Sequence, residues 1–329
     1  MKSIAGFSCF VILVCTAVPA FGEINLLGQP YAFSLSAGPG IIYGTAYEIV
    51  YRDSASNDYL SELQWELKPL WYLGLNVSFG PREILRRWGI SAALAVKAGL
   101  PLKTGTMEDR DWMDCTVPGS LTHFSSHDNK TQAAVLVDLD FAFSLPFKGR
   151  FFFKPLLSLD YVFLSMEARN GYIQYGPNYP SASRTTPYEP WSSSWEKEAM
   201  RGTGITYIQH WILLSPGIGF GAALGPVTLE ASFKITPAVL CITIDNHILR
   251  EIVFTDYMAG GLALEPALDV SVEVTKNVSL GLAASYRHIV KTRGNDVVEE
   301  EGKDAYTVPN VAGAGLQLFD GGLYVKVRL

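Results

Sequence analysis

Alternation constrains this chain more than any other feature. Val135, Val137, Leu139, Phe141, Phe143 and Leu145 take one side of an extended segment, and Asp138, Asp140 and Ser144 take the other. Leu73, Leu75, Val77 and Phe79 alternate with Gly74, Asn76 and Ser78 in the same way. So do the apolar and polar residues of 227–236 and 268–274, and Leu63, Trp65 and Leu67 against Glu62, Gln64 and Glu66. Successive side chains of a strand point to opposite faces, so each segment has one apolar face and one polar face. The polar faces carry Glu, Asp and Lys in numbers that a dry core would not accept unpaired. Repeated segments of roughly ten residues with this pattern mark strands that border lipid on one side. A soluble β-sandwich with polar outer faces is the alternative.

The beginning of the chain favours the membrane. Lys2 supplies a charged n-region, Phe7 to Val18 an apolar h-region, and Ala20-Phe21-Gly22 small residues at the −3 and −1 positions. This is the form of a secretory signal with cleavage before Glu23. The expected division is a signal peptide over 1–22 and one outer-membrane barrel domain over 23–329. The h-region is too short to span a bilayer, and no later apolar run is long enough for a transmembrane helix. The amphipathic run Leu323-Tyr324-Val325-Lys326-Val327-Arg328-Leu329 reads as a terminal strand.

The connections are uneven. Pro81 to Gly89, Lys148-Gly149, Leu224-Gly225-Pro226 and Thr275-Lys276-Asn277 read as short turns. Ser54 to Tyr59, Gly105 to Lys130, Arg169 to Arg201, Asn246 to Asp256 and Lys291 to Tyr306 read as longer polar loops. The fold expected is all-β: a transmembrane antiparallel β-barrel of about ten strands, with short periplasmic turns and long extracellular loops. A barrel that small fills its lumen with side chains, which argues against a general porin.

Several chemistries drop out at once. Cys9 and Cys15 leave with the signal, so Cys115 and Cys241 cannot build a disulfide framework, although a single bond between them stays open. Neither has a Cys or His partner at zinc-site spacing, and no metal or other cofactor is expected. The net charge of −6 gives no nucleic-acid signal. No glycine loop is built to cradle phosphate.

Two stretches remain. Asp109 and Asp111 lie two apart in Met107-Glu108-Asp109-Arg110-Asp111-Trp112-Met113-Asp114, so in an extended chain both carboxylates share a face. Mutual repulsion then raises the pKa of one of them, and the pair can hold a proton and orient a water. Taken alone, an Asp-rich stretch reads first as a solvated turn. Asp245 and His247, in Thr243-Ile244-Asp245-Asn246-His247, are again two apart; a carboxylate beside an imidazole fixes its tautomer and raises its basicity. Taken alone, such a pair near a strand end is mostly structural. Lys234 and Asp245 are separated by an odd number of positions, so both can face inward only with a bulge between them, and Pro237 is a suitable place.

Together with the strand order, these stretches resemble the omptins, outer-membrane endopeptidases built on a ten-stranded barrel. The resemblance runs through Gly44 to Tyr51, Ser61 to Trp65, Asp109 to Asp114 with Pro118-Gly119, Ser125 and His127, Ala168 to Gly171, Tyr207 to Gln209, and Asp245 to His247. It implies that Asp109 and Asp111 form a carboxylate couple facing the Asp245–His247 dyad across the barrel mouth, with a water between them. It also implies that Glu48 lines the pocket for a basic substrate residue. Thr243 and His123 stand where the family places two further substrate-binding acids, so the preference around the cut bond departs from the family pattern. The family's lipopolysaccharide clamp falls on Phe163 and His210, neither a permanent cation, which argues against dependence on that lipid. The implied partners are peptides or proteins at the cell surface, with the active site facing outward from the outer membrane. The rival readings are a non-enzymatic surface adhesin or host-protein binder of the same fold, using the Tyr-, Pro- and Ser-rich tract from Tyr172 to Trp195, and a small-solute channel.

Overall fold

The computed structural model describes residues 24–176 and 188–329, so the signal peptide read over 1–22 and part of the Tyr172–Trp195 tract lie outside the described residues. Backbone N–H and C=O groups in hydrocarbon have no water to pair with, so a sheet that spans a membrane has to close on itself. This one closes. Its strands are β1 (Ile24–Leu26), β2 (Gln29–Tyr51), β3 (Tyr59–Pro81), β4 (Gly89–Gly99), β5 (Lys103–Asp111), β6 (His123–Phe147), β7 (Phe151–Tyr175) and β8 (Glu198–Ala199). They continue as β9 (Thr203–Leu224), β10 (Val227–Thr236), β11 (Val239–His247), β12 (Ile252–Gly260), β13 (Ala263–Thr275), β14 (Val278–Glu300) and β15 (Tyr306–Arg328).

Thirteen of these segments make ten staves, with β1 and β8 as short pieces paired to β2 and β7. β4 and β5 both lie between β3 and β6, β10 and β11 both lie against β9, and β12 and β13 both lie against β14. β15 pairs antiparallel with β2 and completes the ring. The fold is thus an all-β outer-membrane-type barrel, and no helix among the described residues is long and apolar enough to cross a membrane. Leu73, Phe141, Leu214 and Leu268 are each more than half exposed on the outer wall. That exposure is the lipid face the alternation requires.

Two expectations from the sequence need correction. First, three of the segments read as long polar loops, Gly105 to Lys130, Asn246 to Asp256 and Lys291 to Tyr306, are mostly strand. β5 runs to Asp111, β6 begins at His123, β11 runs to His247, β12 begins at Ile252, and β14 runs to Glu300. Above the bilayer both sides of the wall meet polar surroundings, so polarity there no longer separates strand from loop. The Asp109–Asp111 stretch accordingly sits on a strand and not on a loop.

Second, the face carrying Leu63, Trp65 and Leu67 points into the barrel, where all three are buried, whereas Leu73 and Leu75 on the same strand point outward. The switch occurs at Lys68-Pro69, two residues that oppose the single residue Tyr43 on β2. A bulge moves every later side chain to the other face. Similar slips fall at Gln132 in β6, at Pro237-Ala238 between β10 and β11, at 261–262 between β12 and β13, and at Val290-Lys291 in β14. Below this level the outside is oil and the lumen carries charge. Above it the outside is water, and Leu63, Trp65 and Leu67 pack inward. The slip at Pro237 lets Lys234 and Asp245 both face inward, and both are buried.

The lumen is filled at lipid depth. Arg287 donates to Asp138 at 2.8 Å and to Glu265, while Lys234 reaches Asp160 at 3.3 Å and Glu265 at 3.0 Å. Lys97 meets Asp320 at 2.7 Å, and the Tyr72 hydroxyl donates to the same carboxylate at 2.9 Å. Nearer the mouth, Trp65 stacks on Tyr207 at 5.5 Å, and the Trp211 indole donates to Gln209 at 3.0 Å. This packing leaves no wide channel. Replacing Arg287 by Leu strips Asp138 of its buried partner, leaves Glu265 to Lys234 alone, and should cost about 3–5 kcal/mol. Urea unfolding in detergent micelles measures it, and a loss below about 1 kcal/mol would mean the cluster is not what holds the lumen.

Candidate active site

β5 is held on both sides by ladder pairs. Asp109 lies opposite Leu63 of β3 and Ser125 of β6, and Asp111 opposite Ser61 and His123. Both carboxyls turn to the interior, and Ser61 donates its hydroxyl to Asp109 at 3.2 Å. After Trp112 the chain turns away, and Asp114 is spent on that turn, accepting from the Thr116 amide at 2.7 Å and from the Val117 amide at 3.3 Å. On the seventh stave, β11 carries Asp245 and His247 to the same height. Asp245 Oδ2 lies 2.6 Å from His247 Nε2. A short 3-10 turn over Ile248–Arg250, ended by Glu251 in the left-handed region at φ 56°, returns the chain into β12 and leaves Arg250 facing inward.

The two pairs meet. Asp109, Asp111, Asp245 and His247 line one cavity of about 290 Å³, together with Glu48, Ser61, His123, Arg250, Asp256 and Asp296. Asp109, His247, Tyr175 and Arg250 also line a second cavity of about 480 Å³, whose other walls include Ile173, Met200, Leu249, His127 and Glu198. Asp109 and His247 therefore stand at the partition between the two cavities, and Asp111 and Asp245 face the first. On one side is an acid-rich pocket, and on the other a wider one.

Burial works against charge throughout the mouth. Enclosure raises Asp109 well above the usual carboxylate range, with Asp111 and Glu48 adding repulsion. Asp111 is pushed up to about 6 by enclosure, against the pull of the Ser61 hydroxyl and Arg250. Enclosure thus opposes charge on both members of the couple, and more strongly on Asp109. Enclosure also pushes Asp245 up to about 8 and His247 below its ordinary value. Burial thus opposes charge on both partners of the 2.6 Å contact. When Asp245 is ionised and accepts from Nε2–H, the Nδ1 lone pair is left for a water.

The substrate-side expectations divide. Glu48, 4% exposed, lies in the acid-rich cavity and is held well above the carboxylate range by burial and by Asp245. Trp65 donates to it at 3.4 Å. Thr243 is fully buried and is not one of the residues lining that cavity; its hydroxyl donates to Asp256 at 2.7 Å. His123 does line the cavity, in contact with the Thr122 hydroxyl at 2.9 Å and with the edges of Tyr175 and Tyr188. Burial pushes it down to about 4, so it remains neutral. Cys115 and Cys241 are both free. Asp256, Asp296 and Arg250 were not legible as site residues, because their inward direction depends on the turn at 248–251 and on the slips at 261–262 and Val290-Lys291.

A model of the omptin family matches residues 29–321. The chain is 22% identical over 296 residues to a plasminogen activator of Yersinia pestis, an alignment covering 85% of this chain and 84% of that relative. The crystal structure of the outer membrane protease OmpT of Escherichia coli superposes with a TM-score of 0.78 at 18% identity, covering 95% of this chain and 100% of that one. At this identity the likeness is one of fold.

The meeting of the two rims is measurable without any reaction. By NMR the His247 ring should titrate below 6.5. Asp111 is one of the carboxylates that favour the imidazolium, so Asp111→Asn should move the midpoint further down. An upward move, or none, would separate residues that the geometry joins.

Proposed function

The chain belongs to the omptin family, and on that premise we propose that it is an outer-membrane endopeptidase whose mouth faces the cell exterior. The observation that carries this reading is that carboxyls from β5 and an Asp–His dyad from β11 line the same cavity. Water is a poor nucleophile near neutral pH, so it has to be both positioned and deprotonated. Asp111, the more readily ionised member of its couple, accepts a hydrogen bond from the water and aims it. His247 takes the water's other proton at Nδ1 as the oxygen attacks the scissile carbonyl. Asp245 holds the ring through Nε2 and stabilises the imidazolium that forms. Asp109, protonated, donates to the oxygen that gains charge, and His247 then returns its proton to the leaving amine. Substrates are peptides or unfolded protein segments laid across the partition, with a basic residue in the acid-rich cavity. Neither metal nor other cofactor enters the scheme.

Cleavage of a fluorogenic arginine-containing peptide by refolded protein tests this. His247→Ala and Asp109→Asn should each lower kcat/KM by about 10³, while wild-type activity should fall as pH drops through the His247 midpoint. That direction follows because protonation removes the base, and a lowered pKa places the loss below 6.5. Cleavage that survives both substitutions would assign the hydrolysis elsewhere.

The outer wall supports independence from lipopolysaccharide. Phe163 packs tilted against His210 with centroids 5.1 Å apart, and His210 Nδ1 lies 2.8 Å from the Tyr161 hydroxyl. An aromatic cluster offers no fixed charge to a phosphate. Adding lipopolysaccharide to the micelles should leave the rate within about twofold of its value without it. A rise of about tenfold would place a phosphate site on this wall.

A further inference from the structure

The hydrolytic scheme leaves one charged group at the partition without a task. Four residues line both cavities: Asp109, His247, Tyr175 and Arg250. The first two are the proton donor and the base of the scheme, and Tyr175 packs edge-on against His123. Arg250 is left over. Among the described residues its guanidinium enters no hydrogen bond or ion pair, although six carboxyls line the first cavity with it. Deeper in the barrel Arg287, by contrast, is bound to Asp138 and Glu265.

The connection that carries Arg250 is short and held at both ends. His247 and Ile252 are cross-strand partners that close β11 on β12. Between them lie the 3-10 turn Ile248–Arg250 and the left-handed Glu251, whose carbonyl accepts from the Glu301 amide at 3.4 Å. Such a turn keeps Arg250 beside the base three positions before it. The charge of Arg250 favours ionisation of Asp109, Asp111 and Asp245, and it opposes the imidazolium of His247.

We propose that Arg250 is a further catalytic residue, whose guanidinium donates to the scissile carbonyl oxygen as that oxygen becomes an anion. This rests on the peptidase reading. The scissile carbonyl has to sit where His247 and Asp109 both reach, and Arg250 borders the same partition. As the water oxygen bonds to the carbonyl carbon, its proton passes to His247 and the C=O π pair moves onto oxygen. A guanidinium keeps its own proton throughout, so it stabilises that new charge without any transfer. Arg250 is exposed in the free mouth, where water screens it. A substrate laid across the partition displaces that water and strengthens the attraction. The bound carbonyl offers only a dipole, so the gain falls mainly in the transition state.

The test compares wild type, Arg250→Gln and Arg250→Lys, refolded in micelles, by the pH dependence of peptide cleavage and by NMR titration of His247. The turn buries none of its residues, so both variants should keep the strand signal in circular dichroism. Glu48 on β2 and Asp111 on β5 favour the imidazolium and remain in place, while Arg250 opposes it. Arg250→Gln should therefore raise the His247 midpoint and move the acid limb of kcat to higher pH. On the plateau above that limb, Arg250→Gln should still lose about 10²-fold in kcat with KM within about threefold. Arg250→Lys, which keeps the charge, should recover about tenfold of that loss. A Gln variant that matches wild type on the plateau makes Arg250 only a tuner of the base and overturns the role. So does a loss confined to KM, or to peptides with Glu and not Gln after the cut bond, which marks a seat for a substrate carboxylate. A His247 midpoint unmoved in the Gln variant takes Arg250 out of the site. No cleavage by wild type, with the midpoint still moving, fells the peptidase reading and the role with it, but leaves Arg250 beside the base.

Discussion

The rest of the structure depends on one requirement, that every backbone N–H and C=O at lipid depth be paired within the protein. An unpaired group there costs several kcal/mol, and an open sheet would leave a full edge of them. Closure of β15 on β2 removes the edge, and it also fixes which parts of the chain face one another. β5 belongs to the third stave of ten and β11 to the seventh, so the ring sets them across the mouth. Residues more than a hundred positions apart are thereby brought to one cavity without any local sequence signal joining them.

Much of this was readable from the residues, and the failures share a cause. Period two gave the lipid faces of 73–79, 135–145, 227–235 and 268–274 correctly, because oil on one side forces apolar residues there. It misassigned Leu63, Trp65 and Leu67, whose apolar face packs inward. It also took the upper parts of β5, β6, β11, β12 and β14 for loops. Alternation says which side chains share a face but not which medium that face meets, and the medium changes where the wall leaves the bilayer. The bulges at Lys68-Pro69 and Pro237-Ala238 are where the chain answers that change. Pro237 was recognisable because proline cannot donate to the ladder. Gln132 and Val290-Lys291 carry no comparable mark.

The candidate site divides on the same line. Asp109 with Asp111, and Asp245 with His247, are two apart on one strand, so each pair is readable as soon as the strand is. Asp256 and Asp296 come from different strands, and whether they face inward turns on single-residue slips between them and the lipid-facing segments. Their partnership is a fact of register, and one sequence does not display register. Position 243 therefore looked like a lost acid, while the structure sets a carboxyl beside it from the adjacent strand.

The mouth also explains why strands, and not loops, carry these residues. Glu48, Asp109, Asp111, Asp245, Asp256 and Asp296 surround one cavity with a single arginine among them. On a flexible loop, six acids would swing apart into water, each recovering its ordinary pKa and its charge. Here Asp109 and Asp111 are pinned by ladder pairs to β3 on one side and β6 on the other, and Asp256 and Asp296 by pairing to each other's strands. Repulsion cannot be relieved by moving the backbone, because that would break hydrogen bonds the ring needs. It can be relieved only by taking up a proton or a cation. The closure that lets the chain live in lipid is thus what turns a crowd of carboxyls into groups that hold and transfer protons.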